Sequence, residues 1–213
     1  MQVLIFGGHG KVALLLAPLL VERGDTVASV IRKPEQAADI EALGARPIVL
    51  DVETADEATL LDLVADYDAV VWSAGAGGGG AERTYAIDRD AAIRTMDASA
   101  AAGVQRFVMV SWIGSTPEHG VSPDDDFYAY ADAKLAADDH LRATALDWTI
   151  LGPGTLTLDP GTGLIQLDPE GQGKVPRADV AAVIAASLAD ERTVGRFIRF
   201  GGGDRPIAEA LAE

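Results

Sequence analysis

The sequence predicts an α/β protein: one doubly wound parallel sheet flanked by helices, in a single domain spanning residues 1–213. Three observations predict it. Short apolar runs alternate with amphipathic stretches along the whole chain, the pattern of repeated βαβ units around a parallel sheet. At 213 residues, 48% of them hydrophobic, the chain can bury one α/β core and is short for two. A glycine-rich turn sits between the first apolar run and the first amphipathic stretch.

The elements follow in order. Residues 3–6, closed by Gly7, form the first expected strand, and the amphipathic stretch 11–22 the first helix. Strands are expected at 27–31, 47–50, 69–72, 106–110, 148–151 and 197–200, where apolar runs recur. Helices at 34–43, 56–64, 85–102, 124–143 and 177–189 fill the gaps. The segment 161–174 has Leu164, Ile165 and Leu167 inside a glycine-rich frame and is expected to be a hairpin or loop beyond the main sheet. With it, residues from about 152 to 176 and from about 201 to 213 form small substrate-side elements. The run Gly75 to Gly80 follows the fourth strand, where missing side chains let backbone approach a ligand.

Composition limits the partners. A formal charge of -16 argues against nucleic acid, whose phosphates are held by basic surfaces. No run approaches the roughly 20 apolar residues of a membrane span, and the chain enters its first strand without a basic, signal-like leader, so a cytoplasmic protein is expected. The absence of cysteine excludes disulfides and thiolate chemistry and fits a reducing compartment. The acidic run Asp124, Asp125 and Asp126 reads as solvated surface. His119 and His140 have no metal-ligand spacing and are expected to be exposed; no metal is expected. A homodimer is the default for a symmetric assembly.

The strongest chemical signal is Gly7-Gly8-His9-Gly10-Lys11-Val12-Ala13, between strand and helix. Gly7 permits a tight turn, Gly10 lets a pyrophosphate meet backbone, and Ala13 allows close helix packing. The free amides at the helix start then face the phosphates, as in a Rossmann-type dinucleotide site. The second strand ends not in a carboxylate that would bind a ribose 2′-hydroxyl but in Arg32-Lys33, which favours a 2′-phosphate and hence NADP(H) over NAD(H).

A second constellation pairs Ser111, after the fifth strand, with Tyr130 and Lys134, four apart on one helical face. The lysine charge is expected to lower the tyrosine pKa and promote proton transfer, while the serine orients a substrate carbonyl. Tyr128 points elsewhere on that helix. The segment Ser111-Trp112-Ile113-Gly114 lacks the leading glycine of a nucleophile elbow, which disfavours a hydrolase.

On these residues the chain resembles the short-chain dehydrogenase/reductases, specifically their small, atypical, epimerase-like members. The resemblance also rests on Asp51-Val52, Ser73-Ala74-Gly75-Ala76 and Pro153-Gly154, and it spans the whole chain. It implies that Asp51 and Val52 lie near the adenine, Ala74, Gly75 and Ala76 border the adenosine, and Pro153 and Gly154 border the nicotinamide. It further implies Tyr130 as proton donor or acceptor, with Lys134 also contacting the nicotinamide ribose. Two departures stand out: Gly152 occupies the place of an Arg in many relatives, and no Asn completes the proton relay, Asp88 being nearby only in sequence.

The expected activity is NADP(H)-dependent hydride transfer to or from a small carbonyl, quinone or flavin-like substrate. The segment 115–127 lies between the candidate catalytic residues and is placed to cover the substrate. Two alternatives stay open: a redox sensor that binds NADP(H) without chemistry, and a redox-neutral epimerase or dehydratase.

Overall fold

A computed structural model describes residues 1–212. The chain begins with β1 (Gln2–Phe6), α1 (Ala13–Glu22) and β2 (Thr26–Ile31). A 3-10 turn (Pro34–Gln36) runs into α2 (Ala37–Ala42), followed by β3 (Arg46–Val49), α3 (Glu57–Val64) and β4 (Ala69–Trp72). The Asp56 carboxylate caps α3 by accepting from the Thr59 amide across 2.9 Å.

One long helix comes next, in three pieces: α4 (Gly80–Thr84), a π-helical stretch (Tyr85–Ala91) and α5 (Ala92–Ala102), ended by Gly103 in the left-handed conformation. Then come β5 (Arg106–Val110), α6 (Tyr128–Ala143), β6 (Asp147–Pro153), β7 (Thr155–Thr157), β8 (Leu164–Leu167) and β9 (Lys174–Pro176). Helix α7 (Arg177–Ala189), β10 (Arg196–Gly202), β11 (Arg205–Pro206) and α8 (Ile207–Leu211) complete the fold.

The main sheet has the order β11-β8-β10-β6-β5-β4-β1-β2-β3. Strands β1 to β6 and β10 run parallel, as the sequence predicts. Strand β1 shows why its run is unbroken: both of its faces are covered. Val3 and Ile5 join Leu16 and Leu20 of α1 and Ile184 of α7, whereas Leu4 and Phe6 join Leu60 of α3, Met96 of α5 and Leu141 of α6.

The segment 161–174 corrects its expectation. Its residues 164–167 form β8 inside the main sheet, pairing antiparallel with β10 in the register Phe200↔Leu167, while β7 and β9 form a separate two-stranded sheet. The cause is a long-range contact: buried Asp179, at the start of α7, accepts from the amides of Thr162 and Gly163 at 2.9 and 2.8 Å. That carboxylate folds the segment back onto the sheet edge. The helix expected at 124–143 starts only at Tyr128. No helix among the described residues is long and apolar enough to cross a membrane.

Candidate functional site

The strand order reverses between β1 and β4, where parallel α/β sheets open a crevice at the carboxyl ends of their strands. The glycine turn fills the bottom of that crevice. Gly7 has φ +77°, and a Cβ there would lie 2.6 Å from the Ala74 backbone. Gly8 has a different reason to be glycine: its Cβ would lie 2.5 Å from Cβ of Ser29, because its amide bonds to the Val30 carbonyl at 2.8 Å. The Gly10 amide closes the turn onto the Gly7 carbonyl at 2.8 Å, and α1 begins with no acidic residue in its first turn. The result is an amide-lined helix start free of opposing charge, suited to phosphate.

The crevice has a volume of about 280 Å³. Of the residues read from the sequence, it brings together Gly7, His9, Gly10 and Arg32 with Asp51, Val52, Ala74, Gly75 and Ala76. Arg32 makes no hydrogen bond or ion pair among the described residues, whereas Lys33 turns to Glu35 at 3.9 Å. His9 reaches Asp39 at 2.8 Å. Gly8 lies behind the turn, Lys11 is exposed, and the Val12 side chain packs into the core. Pro153 and Gly154 do not line the crevice; a Cβ on Gly154 would collide with the Gln172 carbonyl. Gly152 has a packing reason: a Cβ there would lie 2.6 Å from the Phe197 ring and 3.0 Å from the Trp112 carbonyl, so an Arg cannot be accommodated.

Arg83, which the sequence reading missed, lines the crevice too. It donates to the Ala76 carbonyl at 2.7 Å and pairs with Glu53 at 3.2 Å, tying the Gly75 to Gly80 loop to the segment after β3. A dinucleotide fits this donor set: helix amides for the pyrophosphate, small residues at Ala74 to Ala76, and an unpaired guanidinium at the end of β2.

A second cleft, about 760 Å³, adjoins the first and shares Gly75 and Ala76 with it. Tyr130 lies on its wall, with a hydroxyl that makes no hydrogen bond among the described residues. Lys134, one turn along α6, is fully buried, and its ammonium donates to the Val110 carbonyl at 2.8 Å. The expected lowering of the Tyr130 pKa is corrected: burial pushes the phenol up, and the nearby carboxylates of Asp88 and Asp138 push it further. Burial pulls the Lys134 pKa down, against the pull of the same two carboxylates.

Ser111 is corrected as well. Its hydroxyl donates to Asp138 rather than facing the second cleft, and Ser115 donates to the same carboxylate oxygen. Asp138 continues the stripe Tyr130, Lys134, Asp138 along one face of α6, a four-residue spacing visible in the sequence. Asp88 is 1% exposed and lines the second cleft, accepting from the Ala76 amide at 2.9 Å. Its carboxyl pKa is raised by burial, against the pull of Lys134. The π-helical stretch carries Asp88 into the site, a displacement no local pattern announced. His119 and His140 are half-buried rather than exposed, the latter bonded to Asp97 at 2.7 Å.

A doubly wound sheet, a glycine turn at its switch point and a tyrosine-lysine pair beside the crevice define a dinucleotide-binding protein of the atypical short-chain dehydrogenase/reductase type. The chain belongs to the NAD(P)H-binding family, whose family model matches residues 7–191. It is similar to the Bacillus subtilis protein named uncharacterized sugar epimerase YhfK, with 34% identity covering 99% of both chains. Among solved structures it is similar to one from Bacillus halodurans, named for an NAD-dependent epimerase/dehydratase, at 34% identity and TM-score 0.91, covering 100% of this chain and 99% of that one. It is also similar to the oxidoreductase ylbE of Lactococcus lactis, at 28% identity and TM-score 0.87, covering 100% and 95%. The chain is thus an NAD(P)-binding member of an oxidoreductase- and epimerase-like family.

Proposed function

We propose that the protein is an NADP(H)-dependent oxidoreductase acting on a small carbonyl, quinone or flavin-like substrate. One observation carries the reading: the second cleft opens from the dinucleotide crevice at Gly75 and Ala76, with the unpartnered Tyr130 hydroxyl on its wall. Bound NADPH would supply the hydride. Tyr130, its pKa raised, stays protonated at neutral pH and is poised to donate a proton to a substrate oxygen. Lys134, buried one turn along α6, is held by its bond to the Val110 carbonyl, and Asp138 holds Ser111 and Ser115 in place. The unpaired Arg32 guanidinium supports the choice of NADP(H), since it can grip a 2′-phosphate through two donors.

The test is titration with NADPH and NADH, followed by NADPH oxidation with quinones, flavins, aldehydes and ketones. Tighter NADPH binding is expected, with turnover that falls roughly 100-fold or more in Tyr130→Phe while binding holds. Absence of binding to either dinucleotide would overturn the proposal. A sensor without chemistry is the second reading, favoured by the internal satisfaction of Ser111 and Lys134. Tight binding without turnover on any acceptor selects it.

A further inference from the structure

We infer that the second cleft selects its substrate by charge, admitting a neutral or cationic aromatic molecule and rejecting anions such as phosphorylated sugars and nucleotides. The inference rests on the proposed function in that it names the substrate class for the same site.

The lining carries it. Tyr85, Phe127, Tyr128 and Tyr130 supply aromatic faces and edges, with the Phe127 and Tyr130 rings 5.1 Å apart and Trp112 set edge-on to Phe127 at 5.0 Å. A volume of about 760 Å³ suits a mid-sized planar molecule. The acidic side chains on the lining are Asp88 on the buried side, and Asp124, Asp125 and Asp126 at the exposed rim. Among the described residues no Lys, Arg or His lines the cleft.

The neighbouring cations are already engaged. Arg83 pairs with Glu53, Arg89 pairs with Asp90 at 2.6 Å and stacks on Tyr85, and the Lys134 ammonium is buried against a carbonyl. A phosphate or carboxylate entering here would lose its water and meet carboxylates with no cation to compensate. The Tyr130 hydroxyl and the Oδ1 of Asp88, neither with a hydrogen-bond partner among the described residues, are polar groups open to a substrate. The dinucleotide crevice next door has the opposite character, with a helix start and the unpaired Arg32. Two adjoining clefts of opposite charge preference keep the anionic cofactor and the substrate in their own places.

The experiment uses one naphthoquinone ring in three forms: neutral, bearing a sulfonate, and bearing a trimethylammonium group. Binding to the NADP⁺-loaded protein is measured for each by equilibrium titration, separately from NADPH oxidation. The expected order is cation and neutral ring tighter than the sulfonate, with a spread of roughly tenfold at low salt that shrinks as salt is added. In the triple variant Asp124→Asn, Asp125→Asn, Asp126→Asn the spread narrows while NADPH affinity stays as it was. Sulfonate binding equal to that of the neutral ring overturns the inference, as does an unchanged spread in the triple variant or saturable binding by none of the three. The expected binding order with no NADPH oxidation by any ring would remove the reductase reading and leave charge selection standing.

Discussion

The Ser111 hydroxyl donates to Oδ2 of Asp138 across 2.5 Å, and Ser115 donates to the same oxygen across 2.6 Å. Two loop residues after β5 are thereby anchored to the helix that carries Tyr130 and Lys134. Asp138 is also a counter-charge to the buried lysine. Asp138→Ala would strand two hydroxyls and leave Lys134 with less compensation, an expected loss of about 3–5 kcal/mol. Ser111→Ala removes one donor and should cost about 1 kcal/mol. Urea denaturation of the two variants checks the order; equal, small effects would contradict it.

The same cluster makes stability depend on pH with a definite sign. Burial raises the carboxyl pKa of both Asp88 and Asp138 above the ordinary 3.8. Between 3.8 and the raised values the folded state holds more protons than the unfolded one, so their contribution is full below 3.8 and is lost as pH rises through the folded values. Lys134, lowered from 10.5, contributes the other way, with stability present above 10.5 and lost as pH falls through its folded value. Comparison of wild type with Asp138→Asn isolates one carboxyl from the rest. Denaturation midpoints should show the variant gaining relative to wild type as pH rises above 3.8, and parallel pH profiles would exclude a raised Asp138.

Arg32, just after β2, makes no hydrogen bond or ion pair among the described residues. Arg32→Asp should weaken NADPH roughly 10- to 100-fold, the worth of a charge-assisted phosphate contact, and NADH far less. Fluorescence titration of both dinucleotides measures the ratio. Equal losses would assign Arg32 to general electrostatics rather than to the 2′-phosphate.

Gly7 is pressed against the backbone that follows β4, with positive φ and no room for a Cβ. Gly7→Ala must therefore shift one of the two strand ends that form the crevice. A destabilisation of about 2 kcal/mol or more is expected, together with loss of dinucleotide binding. Thermal unfolding and titration read the two effects separately, and retention of full affinity would show that the turn does not shape the site.

Much of the architecture was legible locally because the central parallel strands β1, β2 and β4 are buried on both faces and so announce themselves as short apolar runs. The glycine turn was legible for a related reason, since a side chain at Gly7 or Gly8 has nowhere to go. The Tyr130 and Lys134 pair was readable from helical spacing, and Asp138, one turn further, was readable in principle by the same rule. What Asp138 holds was not: its partner Ser111 lies 27 residues away, and only the packing of α6 against β5 brings them together.

The sequence by itself determined the α/β class, the parallel strand rhythm and the dinucleotide turn, because those follow from local periodicity and from backbone conformations only glycine allows. The tertiary structure alone decided that 164–167 joins the main sheet, that Asp88 enters the second cleft, and that Tyr130 is raised rather than lowered in pKa. Each of these depends on burial and on charges brought from distant parts of the chain, and desolvation is a property of the packed interior that no local spacing records.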